Sequence, residues 1–117
     1  MKIDSIDIYW VKLPLAFVWK TSYADQHYTD TILVRMEGEG HYAWGESCPP
    51  YIPGYSADHT LATFHTAREH MAPRIIGQDI ESAEDLLDRV AVRADFGVQD
   101  SLDILLQNMC RSESRRN

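Results

Sequence analysis

The densest set of groups able to bind a metal or move a proton is His59, His65, Glu69 and His70. His65 and Glu69 stand four apart and share one face of a helix, which suits two ligands. His59 lies off that face, and His70 falls about 140° round an α-helix from His65. Two ligands without a third read as a solvated helix face, so no metal site is assigned. Glu46 follows "WG" at the end of an aromatic strand and reads as a structural hydrogen-bonding carboxylate rather than a general base. Cys48 sits between that strand and two prolines, with no base or cation evident in the sequence to activate it, and reads as structural. "WGES" lacks the G-x-S-x-G frame of a nucleophile elbow. The glycines of "EGEG" precede no helix and so form no phosphate loop. No catalytic residue is assigned.

The elements that would position these groups change period along the chain. Residues 2 to 13 read as a strand, with Ile6, Ile8 and Trp10 on one face, Asp7 and Tyr9 on the other, and Pro14 ending it. Residues 17 to 29 read as a polar-aromatic connection. "TILVRME" alternates again, "EGEG" supplies a tight turn, and "HYAWGES" returns as a third strand. Beyond the proline-rich "CPPYIPGYS", Ser56 is the expected helix cap and Asp58 the acidic residue of its first turn. Leu61, Phe64, Ala67 and Met71 make the expected apolar face, with Pro73 and Gly77 at the exit. "SAED" is a capping box, Ser82 as cap and Asp85 three residues on, leading a helix that buries Leu86, Leu87, Val90 and Ala91. A third helical piece is expected from "DSLD". The class is α+β: a three-stranded antiparallel meander sheet followed by a small helical bundle.

Composition sets outer limits. The chain has 117 residues, 44% of them hydrophobic, and a net charge of −7. That is enough for one small core. The negative charge argues against nucleic acid, since no basic surface is available for phosphates. No apolar run approaches the roughly 18 residues that cross a bilayer, so no membrane is expected. Cys48 and Cys110 form no disulfide framework, and a cytoplasmic location is expected.

The fragments "VKLPL", "WKTSY", "TDTILVRME", "WGESCPP" and "MAPRIIGQDI", in this order, resemble the N-terminal capping domain of the enolase superfamily. The resemblance is of the mandelate racemase/muconate lactonizing type, nearest to o-succinylbenzoate synthase and N-acylamino acid racemase. It runs over residues 1–93. In that family the cap covers a (β/α) barrel, and the barrel carries magnesium or another divalent metal with lysine acids and bases that move a proton next to a carboxylate. The cap contributes two loops that shape substrate preference. The resemblance implies that Trp19, Thr21 and Tyr23 in one loop, and Pro50 and Tyr51 in the other, meet substrate.

The same resemblance implies where this chain departs from the family. Residues 94–110 resemble the start of a barrel, whereas a whole barrel takes about 250 residues; the short polar segment 111–117 reads as a disordered tail. The only lysines are Lys2, Lys12 and Lys20, and no Lys-x-Lys pair is present. The expectation is a truncated cap that is inactive alone, holds no cofactor, and meets a small carboxylate only if a barrel is supplied. Two other readings stay open. The apolar face that a barrel would cover makes this an interaction module, associating with itself as a homo-oligomer, or the aromatic loops bind a small ligand directly.

Overall fold

In a computed structural model, which describes residues 1–54 and 57–90, the first half of the chain is one antiparallel sheet in the order β1-β2-β3. β1 covers Ser5–Lys20, β2 Asp25–Gly38 and β3 His41–Ser47. Alternation dictates the faces as expected. Ile6, Ile8 and Trp10 pair with Met36, Val34 and Ile32, and Ala43, Gly45 and Ser47 complete the same face from β3. Ile32 and Val34 are among the core residues. Tyr9 lies on the opposite face, its ring 5.9 Å from that of Trp44.

The turn between β2 and β3 consists of Glu39 and Gly40, at φ 50° and 78°. Two successive residues at positive φ match the twist of flanking strands, which is why a glycine is needed there. Gly38 has a different reason. A Cβ on it would run into the backbone carbonyl of Lys2.

The first strand differs from expectation at both ends. It starts later, because residues 1–3 pair with 77–80: Ile3 N–H donates to Gln78 O (3.0 Å), Gly77 N–H to Ile3 O (2.7 Å) and Ile80 N–H to Met1 O (2.8 Å). It also continues past Pro14, which pairs with Tyr28. β1 is an edge strand, so a residue without an N–H can be accommodated in it. The register then slips between Pro14 and Trp19, leaving four residues on β1 opposite His27 alone. The expected connection at 17–29 is therefore mostly paired strand.

The helical half starts at Thr60. α1 covers Thr60–Thr66, a π-turn Ala67–Met71, and α2 Ala72–Ile75. Ser56 lies outside the described residues, and the N-cap position is His59, so Asp58 precedes the helix rather than standing in its first turn. The expected face is corrected at Leu61, which is 59% exposed. Thr60 and Thr63 are fully buried instead, with Ala67 and Met71 below them. Pro73 does not end the helix, because it falls within the first turn of α2, just past the π-turn.

α3, Ala83–Val90, is capped as read. Ser82 Oγ accepts from Asp85 N–H at 3.1 Å, and Asp85 Oδ2 accepts from Glu81 N–H at 3.1 Å. Its buried residues are Leu86 and Val90. Ala91, the "DSLD" helix, the barrel-like segment 94–110 and the tail 111–117 lie outside the described residues. Among the described residues no helix is long and apolar enough to cross a membrane.

Candidate functional site

β1 and β3 run in the same direction, antiparallel to β2, so the β1–β2 turn and the exit of β3 share one end of the sheet. They are not level. β3 stops pairing at Ser47 opposite Ile32, whereas β2 pairs with β1 alone from Thr31 back to Asp25. At about 3.3 Å per residue this overhang reaches some 20 Å beyond the sheet body. The hairpin is thus an arm, and the loop leaving β3 starts at its root.

The arm carries Trp19 and its tip carries Thr21 and Tyr23. Phe17 and Tyr23 are each 75% exposed and Trp19 is 59% exposed, so these rings contribute little to the core. Trp19 pairs across the arm with Gln26. The Thr21 hydroxyl is engaged within the turn. It donates to Ala24 O (2.8 Å) and accepts from the N–H groups of Ala24 (3.1 Å) and Tyr23 (3.3 Å). This is the local bonding by which a hydroxyl residue fixes a turn. Lys12 lies over the Tyr28 ring, 4.9 Å from its centroid.

The second segment, residues 48–54, is held at its base. Pro49 is buried and Pro50 half-buried. Thr60 N–H donates to Pro50 O at 3.0 Å, and the Thr60 hydroxyl lies 3.2 Å from Pro50 O and 3.3 Å from Pro49 O. Tyr51 and Ile52 then stand out at 65% and 64% exposure. Thr60 is the residue that sequence reading missed. A hydroxyl at the first helical position, seven residues beyond the last of three prolines, was the available signal.

Between the two segments lies a polar knot. The Thr31 hydroxyl donates to Glu46 Oε1 at 2.9 Å, and Cys48 Sγ lies 3.2 Å from Thr31 Oγ1 and 3.3 Å from Glu46 Oε1. Glu46 makes the hydrogen bond expected of it near the strand end. Burial pushes the Cys48 thiol above its usual range; the Thr31 hydrogen bond works against this and the Glu46 carboxylate adds to it. A thiol held protonated beside a carboxylate is a poor nucleophile at neutral pH.

The helix face differs from expectation. The π-turn brings His70 back beside His65, ring centroids 5.6 Å apart, while Glu69 pairs with Arg68 at 2.7 Å. Among the described residues no group of three His, Cys, Asp or Glu side chains could hold a metal ion. The arrangement as a whole can present aromatic surface to a ligand.

No protein-family model matches the chain. It is 34% identical over 93 residues to the N-succinyl-L-Arg/Lys racemase of Bacillus cereus, covering 75% of this chain and 24% of that protein. The crystal structure of that racemase superposes with a TM-score of 0.75 at 27% identity, over 91% of this chain and 29% of the other. The N-succinylamino acid racemase of Thermus thermophilus is 29% identical over 91 residues, 78% of this chain and 25% of its own length. A Roseovarius nubinhibens structure assigned to the mandelate racemase/muconate lactonizing enzymes, complexed with magnesium, matches with a TM-score of 0.73 at 30% identity, over 91% of this chain and 29% of its own. This chain therefore spans about a quarter of the length of the curated relatives it matches. The order of strands and helices, the five sequence fragments and these likenesses agree: the chain belongs to the mandelate racemase/muconate lactonizing type of the enolase superfamily and corresponds to its N-terminal capping domain.

Proposed function

We propose that residues 1–93 supply the substrate-specificity elements of a racemase-type enzyme acting on a small carboxylate such as an N-succinylamino acid. In this reading Trp19 and Tyr23 of the arm and Pro50 and Tyr51 of the second segment line the mouth of a pocket in a barrel. Thr21 acts by shaping the tip. The observation that carries the reading is the overhanging arm. A two-stranded ribbon on its own is marginally stable, and one that exposes large aromatic rings is suited to cover something else. The catalytic acid, base and metal come from the barrel; magnesium, held by the Roseovarius relative, has no fitting residue set among the described residues. A cytoplasmic location goes with the same reading.

The test is turnover by this chain with Mg²⁺ and a panel of N-succinylamino acids, followed by loss of optical rotation. The proposal expects no racemisation, and measurable racemisation would overturn it. A second reading is favoured by the apolar rings left on the arm: an interaction module that forms a homo-oligomer. Sedimentation at micromolar protein separates the two. A stable oligomer that a Phe17→Ser variant dissolves supports the module, and a monomer rejects it.

A further inference from the structure

His65 and His70 are five residues apart, a spacing that an α-helix would send to different faces. The π-turn over Ala67–Met71 closes its hydrogen bonds one residue later and so turns His70 back over His65. Their rings meet at 5.6 Å between centroids with 68° between planes. Both side chains are exposed. Of the neighbouring charges, Arg68 pairs with Glu69 and lies over the Phe64 ring, 5.2 Å from its centroid.

We propose that His65 and His70 form a bidentate site for a late divalent transition-metal ion, remote in role from the substrate-facing segments. Two imidazole nitrogens at about 2.0–2.1 Å from one ion put the ring centroids about 4.5–5.3 Å apart for cis ligands. The present separation is slightly larger, and rotation of two exposed side chains closes it. Imidazole suits copper, nickel and zinc, with copper(II) bound most tightly in that series. Water completes the coordination, since no third protein ligand is gathered there among the described residues. A π-turn is a rare insertion often kept at functional sites, and here its consequence is this pair.

The test is titration of the full chain with copper(II), read by calorimetry and by electron paramagnetic resonance. One ion should bind with two nitrogen ligands. His65→Ala and His70→Gln should each weaken binding at least tenfold, and combining them should add little, because one chelate is already broken. His41→Ala should leave binding unchanged. A single-nitrogen spectrum, or copper binding that survives both substitutions, would overturn the proposal and leave the rings as an edge-to-face contact. Circular dichroism of each variant confirms that the helix persists.

Discussion

Gly38→Ala isolates one packing contact. Gly38 ends β2 where the N-terminal segment crosses it. A Cβ there would overlap the Lys2 carbonyl oxygen and lie 3.3 Å from the carbonyl carbon and 3.5 Å from Ile3 Cα. All three are backbone atoms, so no flexible side-chain end can give way. Relief requires residues 2–3 to retreat by about 1 Å, enough to spoil hydrogen-bond geometry. Three backbone bonds depend on that segment: Asp4 N–H to Glu37 O at 2.8 Å, Ile3 N–H to Gln78 O at 3.0 Å, and Gly77 N–H to Ile3 O at 2.7 Å. At about 1 kcal/mol each, their loss costs about 3 kcal/mol. Reduced freedom of the unfolded chain returns about 0.4–1 kcal/mol. The net expectation is a destabilisation of about 2 kcal/mol, a large share of the stability of a small domain.

Urea unfolding of Gly38→Ala, compared with Gly54→Ala, reads this directly. A Cβ at Gly54 meets nothing within 4 Å, so that variant should match the parent or gain slightly. Amide exchange should also accelerate at Ile3 and Gly77 in the Gly38 variant alone. If the two alanine variants prove equally stable, the account of how the N-terminus is locked is wrong.

Other consequences can be measured alongside. Thr31→Val removes the donor from Glu46 and the one contact that lowers the Cys48 pKa. It should cost about 1–2 kcal/mol and, in a Cys110→Ser background, move the midpoint of thiol alkylation to higher pH. Asp85 is held below the ordinary carboxylate range of about 3.9, first by the Arg89 side chain and then by the Glu81 N–H. A depressed folded value means its contribution is present above the unfolded pKa and lost as pH falls through the folded one. Melting temperatures of Asp85→Asn should therefore lie beneath the parent at pH 6 and converge with it as pH falls through the depressed folded value. Ser82→Ala should cost about 1 kcal/mol through loss of the cap, seen in urea unfolding.

How far residues declare structure depends on whether the cause is local. The Glu39–Gly40 turn, the span of β3 and the Ser82–Asp85 box were legible because each rests on neighbouring residues. The path of β1 through Pro14 was not, since a proline is tolerated there only because the strand is an edge. The start of α1 depends on Thr60 reaching Pro49 and Pro50, ten or more residues back. The π-turn left no mark in the hydrophobic pattern, so His70 was set on the wrong side of His65. Of the site, the two segments were visible as aromatic and proline-rich stretches. Their offset along the sheet required the register, which the sequence does not print.

The most direct measurement replaces the matching N-terminal segment of the Bacillus cereus N-succinyl-L-Arg/Lys racemase with residues 1–90 of this chain. The kcat/KM of the chimera is then compared across N-succinylamino acids. The account predicts an active chimera whose preference differs from the parent enzyme. Trp19→Ala or Tyr23→Ala within it should change the ranking of substrates at least tenfold between best and worst, chiefly through KM. A chimera whose ranking ignores both substitutions and both segments would contradict the claim that this cap reads substrate.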